Sequence, residues 1–528
     1  MPDRVVSSRR EEDVHMNRKA RALMFLGTGS DVGKSVLAAA FCRIFRQDGY
    51  RVAPFKAQNM ALNSYITPEG GEMGRAQVVQ AEAAGIEPHV DMNPVLLKPT
   101  SQVGSQVIVL GKAVGNFPAV DYYEYKTKLI PVVRESYERL ASRYDVVVLE
   151  GAGSAVELNL KQHDIVNLAM AGEADALCIL VGDIDRGGIF AALLGSYMLM
   201  EPHEQERIIG FLVNKLRGDP RLFESGVRIM EERSGKPVLG VIPHFDHIAL
   251  PEEDSVALGK RMRRAALPDP QGSLVIGVLR LPFISNYTDF DCFEQERGVE
   301  LVYFDRPEEI FNCDAVILPG SKNTLEDLAF LKRSGLADAV RAYAGAGGTV
   351  VGLCGGYQMM GFKVRDPHGV ESSLEEVDGL ALLDMETEMF PEKITSQVEA
   401  VRLSGDLHGV PDGEVLRGYE IHMGQSTTMG RARPLFRIVS RNGRPEDTLD
   451  GLTLENGRVW GTYIHGVFDN DEFRRDFLGR LKQRSGKSDV RLSDSFSYRR
   501  WKEDQYDRLA DHVRRYADVG RIYRLMGL

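Results

Sequence analysis

The chain is poor in cysteine, and what it has follows no bridging or zinc-binding pattern: Cys42, Cys178, Cys292, Cys313 and Cys354 are odd in number, widely spaced and without a CxxC pair. That spacing fits neither a disulfide framework nor a zinc site, so reduced thiols are expected. Any apolar run of the roughly 18 residues needed to span a bilayer is also lacking, so no membrane partner is expected. Basic excess is missing as well, since 65 Lys and Arg stand against 76 Asp and Glu, a net charge of -11. Binding a phosphate backbone needs a concentrated basic surface, so nucleic acid is not an expected partner. Near the start, Arg9, Arg10, Arg18, Lys19 and Arg21 are mixed with Glu11, Glu12 and Asp13, and no apolar signal region follows. Residues 1–20 read as a flexible leader, and a cytoplasmic location is expected. No internal repeat or low-complexity tract occurs.

What is present is an ordinary globular composition, 43% apolar and 27% charged, on 528 residues. That length exceeds what one core usually organises and implies two to four domains, with two large ones as the first expectation. From Ala22 the pattern is a short apolar strand (ALMFL), a glycine loop from Gly27, an amphipathic helix from about Lys34 to Gln47, and a second strand (RVAPF). This is a βαβ opening. DVVVL (145–149), ALCILV (176–181), IIGFLV (208–213) and VLGVI (238–242) follow as near-continuous apolar runs, the signature of parallel strands covered on both faces. The stretch PEEDSVALGKRMRRAALPDPQGS (251–273) is charged, then rich in proline and glycine, and places a domain boundary near 265–272. A second α/β series runs from LVIGVLRL (274–281) through VELVYF, DAVIL and TVVGL to VWGTYIHG. The expected organisation is therefore α/β throughout: domains at 21–265 and 272–482, then a helical tail at 483–528 without a site of its own.

Gly27-Thr28-Gly29-Ser30-Asp31-Val32-Gly33-Lys34-Ser35 lies between the first strand and the first helix, the setting of a phosphate-binding loop. Backbone N–H groups and the helix N-terminus favour phosphate, Lys34 can reach the outer phosphates, and Ser35 can ligate magnesium. The usual first glycine is displaced by one residue, leaving Thr28 in its place. Thr28, Gly33, Lys34 and Ser35 are thus the expected nucleotide contacts. Glu150 ends the strand DVVVL at the carboxyl edge of the sheet, where ligands bind in open α/β folds, and is a second candidate for magnesium. A solvated loop glutamate is the plain alternative. Asn214, after IIGFLV, is placed to pair with a base edge or to be an ordinary loop residue; Asp183 and Asp185 face the same edge without a definite role.

Gly352-Leu353-Cys354-Gly355-Gly356 follows the strand TVV and precedes a helical stretch. The pattern G-x-C-x-G is the cysteine counterpart of a nucleophile elbow, in which flanking glycines permit a strained turn that exposes the side chain. A helix N-terminus behind the thiol lowers its pKa and supplies oxyanion donors, Gly355 first among them. Gly320 in Leu-Pro-Gly-Ser (318–321) is a second oxyanion candidate. The thiol needs a base, and His465, at the end of a late strand, is the best placed, with His422 in GYEIHMG as rival. An ATP site able to make an acyl phosphate, joined to a source of ammonia, has one economical joint purpose: making an amide from a carboxylate.

The GT(x)4GK[ST] loop resembles dethiobiotin synthetase and lacks the extra lysine of partitioning-type ATPases. The Cys354–His465 arrangement resembles class I glutamine amidotransferases, but Val467 stands where many members have the glutamate of His-x-Glu. The cobyrinic acid-type branch lacks that carboxylate too, which implies that the imidazole is oriented from elsewhere. KAQNMALNS (56–64), PVLLKP (94–99), EGAGSAVELNL (150–160), VGDIDRGGIF (181–190), LPGSKNT (318–324), GLCGGYQMMG (352–361), GYEIHMG (418–424) and YIHGVFD (463–469) together resemble the cobyric acid synthase family over about residues 22–480. The resemblance implies an N-terminal P-loop, dethiobiotin synthetase-like parallel-sheet domain and a C-terminal class I glutamine amidotransferase α/β domain. It implies ATP and magnesium as cofactors, glutamine as nitrogen donor, and amidation of carboxylates b, d, e and g of adenosylcobyrinic acid a,c-diamide to give adenosylcobyric acid in cobalamin biosynthesis. Residues between Lys56 and Lys98 are expected to form part of the acceptor surface or to shape the ATPase core. The rivals are cobyrinic acid a,c-diamide synthase, which amidates other carboxylates, a P-loop switch ATPase with a pseudo-glutaminase, and a cysteine peptidase-like domain regulated by ATP.

Overall fold

The computed structural model describes residues 19–99, 104–245, 247–251, 272–403, 414–430, 432–454 and 457–528. The leader as far as Arg18 and, but for Gly272, the boundary expected at 265–272 lie outside them.

Six parallel strands form the first sheet, in the spatial order Val52–Phe55, Val146–Glu150, Arg21–Gly27, Leu177–Asp183, Ile208–Leu216, Val238–Pro243. The apolar runs become strands because both faces are covered: Met24 and Leu26 enter one core, Leu23 and Phe25 the opposite one. The first strand is central, and the chain passes to neighbours on either side of it. Its carboxyl end is therefore a topological switch point, and the glycine loop and the helix Lys34–Gln47 start there.

Between Val52–Phe55 and Val146–Glu150 the chain builds a separate four-stranded sheet (Gln58–Met60, Val95–Pro99, Gly104–Val109, Lys112–Pro118) and a two-stranded hairpin, Ser64–Ile66 with Glu72–Gly74. The second large sheet has a parallel half (Val299–Phe304, Leu274–Leu279, Ala315–Leu318, Thr349–Leu353, Val459–Thr462) extended by antiparallel strands Arg444–Thr453, Arg433–Arg441, Met385–Arg402 and Val415–Thr428. The hairpin docks on this extension. Ile66, Tyr419 and Ile421 form a small apolar cluster, and Glu72 accepts from Lys98 Nζ at 2.7 Å and Lys393 Nζ at 2.5 Å, one from each side of the junction.

The chain end returns to the first layer. Helix Tyr498–Tyr516 lies on Lys34–Gln47, with Tyr506, Leu509, Ala510 and Val513 buried in the core that holds Phe41 and Phe45. Arg43, itself buried, is clamped by Asp507 at 2.7 Å and Glu503 at 2.8 Å. Each large apolar side chain buried there contributes about 1.5–3 kcal/mol, so residues 506–526 are part of the first core, while Tyr498 at the start of the helix is buried in the core of the second domain. Among the described residues no helix is long and apolar enough to cross a membrane.

Candidate active sites

At the switch point Lys34 is buried, and its ammonium donates to Gly29 O at 2.8 Å and Gly153 O at 2.9 Å, tying the glycine loop to the turn after Val146–Glu150. Ser35 Oγ donates to Glu150 Oε1 at 2.8 Å. Glu150 is buried, not a solvated loop residue, and also accepts from Lys56 Nζ at 2.8 Å, Gln80 Nε2 at 2.6 Å and Gln77 Nε2 at 3.3 Å. Burial pushes its pKa up, but the Lys56 charge and the hydrogen bonds from Lys56, Ser35 and Gln80 outweigh this and hold it below the usual carboxylate value. Gly33 has φ 101°, and a Cβ there would lie 2.1 Å from Asn214 Nδ2, so only glycine fits. Asn214 Nδ2 donates to Val32 O at 2.9 Å. One N–H of its amide thus backs the loop. Thr28 is stitched into the sheet through its N–H to Val181 O at 3.0 Å and a bridge to Ser154. Asp183 pairs with Lys215 at 3.0 Å and Asp185 with Arg217 at 2.8 Å. Loop, Lys34, Ser35, Lys56 and Glu150 open on a cleft of about 830 Å³, whose lining also includes Met60, Leu158, Leu160 and Leu199.

The second site lies at the carboxyl end of Thr349–Leu353. Cys354 has φ 50° and ψ -108°, a conformation that costs a non-glycine residue energy and is held by its neighbours. Its N–H donates to Thr462 O at 2.9 Å and its carbonyl accepts from Gln358 at 3.0 Å. A Cβ at Gly356 would lie 2.0 Å from Leu318 O, and one at Gly355 2.8 Å from Ser321 N. The elbow can therefore press against the turn 318–321 only with glycines after the cysteine. Gly320 lies in that turn, where an added Cβ would sit 3.3 Å from His465 Cε1.

His465 is buried against the thiol. Nδ1 lies 2.7 Å from Asp289 Oδ2, Asp289 Oδ1 accepts from Gly466 N–H at 2.9 Å, and Tyr419 stacks on the ring at 5.1 Å. Burial alone would lower the imidazole's pKa. The charges of Asp289 and of a Cys354 thiolate, with hydrogen bonds to both, win and push it up to about 10. His422 is engaged elsewhere: Nδ1 meets Gly424 O at 2.7 Å and the ring stacks on Tyr463 at 3.8 Å. The remaining thiols are buried, and burial pushes Cys178 and Cys313 up to about 12 and raises Cys42 and Cys292 as well.

Two family models match in tandem, the CobQ/CobB/MinD/ParA nucleotide binding domain over residues 23–256 and the CobB/CobQ-like glutamine amidotransferase domain over 275–473. Cobyric acid synthase of Syntrophobacter fumaroxidans is 73% identical over 510 residues, 97% of this chain and 99% of that protein. The chain belongs to the cobyric acid synthase family. Relatives of the same name from Sorangium cellulosum and Moorella thermoacetica are 49% and 48% identical, each over 96% of this chain and 99% and 98% of their own length.

Within this family member, Asp289 supplies the carboxylate that Val467 does not. Sequence reasoning required such a group but had no local signal for it: Asp289 stands 176 residues before His465, in a short turn of helix at Tyr287–Phe290. Asp289→Asn is expected to lower glutaminase kcat roughly 10²-fold, the low end of what positioned proton transfer contributes. The sign of the pH effect follows from the raised pKa: without the carboxylate, the imidazolium loses its proton at lower pH, so the basic limb of kcat/KM moves down from about 10. A basic limb that stays in place would show that Asp289 does not act on His465.

Proposed function

We propose that the chain amidates carboxylates b, d, e and g of adenosylcobyrinic acid a,c-diamide, using glutamine and ATP, to give adenosylcobyric acid in cobalamin biosynthesis. The observation that carries this reading is the union in one chain of a Cys354–His465–Asp289 set with a Lys34, Ser35 and Glu150 cleft, in a family whose relatives bear the name cobyric acid synthase.

In the glutaminase half, the Cys354 thiolate adds to the side-chain amide carbon of glutamine, and the oxyanion points to the backbone at Gly355 and Gly320. His465 hands its proton to the leaving ammonia, Asp289 holding the ring; water then cleaves the thioester to glutamate. In the synthetase half, a substrate carboxylate oxygen attacks the terminal phosphorus of ATP, giving an acyl phosphate and ADP. Ammonia displaces phosphate from it and forms the amide. Lys34 lies where it can exchange its two carbonyl partners for phosphate oxygens. Ser35 and Glu150 are oxygen donors of the kind magnesium takes, and Glu150 is held ionised. Magnesium bound there would neutralise phosphate charge. The apolar wall of Met60, Leu158, Leu160 and Leu199 suits the body of a large ring, while Lys126 and Lys161 on the same cleft suit its carboxylates.

The test is product mass after incubation with glutamine, Mg-ATP and adenosylcobyrinic acid a,c-diamide. Four successive changes, each the exchange of a hydroxyl for an amino group, are expected. An unchanged mass while ATP is still hydrolysed would overturn the substrate and favour the sister a,c-diamide synthase.

A further inference from the structure

Asp289, the Cys354 thiol, Asn286 and Tyr419 all meet the imidazole of His465, and the last two also hold the synthetase half. Asn286, buried and in the left-handed conformation at φ 52°, places Nδ2 3.3 Å from His465 Nε2 and accepts with Oδ1 from Ser64 N–H at 3.3 Å. Tyr419, stacked on the ring and paired to His465 through both backbone groups, donates from its hydroxyl to Ser64 O at 3.4 Å. Both backbone groups of Ser64 are thus held by the residues that flank the imidazole.

Ser64 is the last residue of a nine-residue segment whose first is Lys56, the ammonium on Glu150 in the nucleotide cleft. Midway, Asn59 Nδ2 donates to Gln77 Oε1 at 3.0 Å, and Gln77 Nε2 donates to Glu150 Oε2 at 3.3 Å. At the far end the Ser64 hydroxyl donates to Glu72 at 2.8 Å and accepts from Lys98 at 2.9 Å. The segment is a continuous, hydrogen-bonded path between the two chemical centres.

We infer that Asn286 is a positioning residue through which segment 56–64 ties the glutaminase to the state of the synthetase cleft; this rests on the glutaminase reading above. Because Ser64 N–H occupies the amide oxygen, the amide can offer His465 only N–H. That N–H competes with the Cys354 proton for the lone pair of a neutral Nε2 and opposes the N–H of an imidazolium, so in both states it disfavours the thiolate–imidazolium pair. A shift of Lys56 and Glu150 on loading of the cleft moves Ser64, frees the amide to turn, and lets it present oxygen instead. The ordinary size of such coupling between sites, about 5–150-fold, sets the scale.

The experiment is steady-state glutaminase of the full chain, with and without Mg-ATP and adenosylcobyrinic acid a,c-diamide, in wild type and Asn286→Gly, glycine keeping the left-handed backbone. Wild type is expected to rise at least about fivefold in kcat on loading. The unloaded variant is expected to match loaded wild type, with a loaded-to-unloaded ratio near one and an unchanged KM for glutamine. Ammonia-driven synthesis serves as the check on folding. Tyr419→Phe, which removes only the hydroxyl to Ser64, is expected to move the same way by a smaller factor, and decides the matter if Asn286→Gly does not fold. A wild type indifferent to loading, a variant that keeps the wild-type ratio, or one slower in both states overturns the coupling alone. Glutaminase surviving in Cys354→Ala would overturn the reading beneath it as well.

Discussion

Cys354→Ala is expected to abolish glutamine-driven amidation while ammonia-driven amidation at elevated pH continues. The loss should be on the order of 10⁴-fold or more, as when the nucleophile is taken from other nucleophile–base–acid sets. The substitution deletes one sulfur atom, which hydrogen-bonds to His465 and lies 3.4 Å from Ile421 O, and leaves the backbone of the elbow to be held by Thr462 and Gln358. Lys34 and Ser35, at the start of the helix Lys34–Gln47, and Glu150, at the end of its strand, belong to the other domain and keep their geometry. Raising the pH matters because only unprotonated ammonia is a nucleophile. Comparing the two nitrogen sources on one preparation checks this directly. Retained use of glutamine would remove Cys354 from the chemistry, and loss of both sources would mean that the two halves cannot work apart.

The parallel strands and both loops were legible because burial on two faces writes a strand as an uninterrupted apolar run and glycines mark the turns that follow. The antiparallel extension was not. Met385–Arg402 buries Met385, Thr387 and Met389 in alternation, but Pro391 and the charged residues around it break the pattern where the register shifts between Met389 and Ile394. Helix Tyr498–Tyr516 is dominated by Arg and Asp, and its stripe of Tyr506, Leu509, Ala510 and Val513 is easily lost among them, although that stripe ties the chain end to the first core. Asp289 and Asn286 show the same limit at the site. Each acts through a partner nearly 180 residues away, and such pairing leaves no spacing to read.

Lys34→Ala is expected to remove synthesis with glutamine and with ammonia alike, by roughly 10²–10³-fold, the size of effect seen when one preorganised donor to a developing charge is deleted. Lys34 is a buried cation whose ammonium donates to Gly29 O and Gly153 O, so it ties down the loop at the cleft and places a positive charge at the helix N-terminus. Alanine removes that charge and the bridge between the two turns together. Because acyl phosphate formation precedes attack by ammonia, the origin of the ammonia cannot rescue the variant, which is what separates this result from that of Cys354→Ala. Lys34→Arg divides charge from shape: the guanidinium keeps the charge, but its planar fork does not fit a cradle built for a compact ammonium. Synthesis should therefore stay low in Lys34→Arg, and recovery there would assign the role to charge alone. Normal synthesis in Lys34→Ala would refute the phosphate-loop assignment itself.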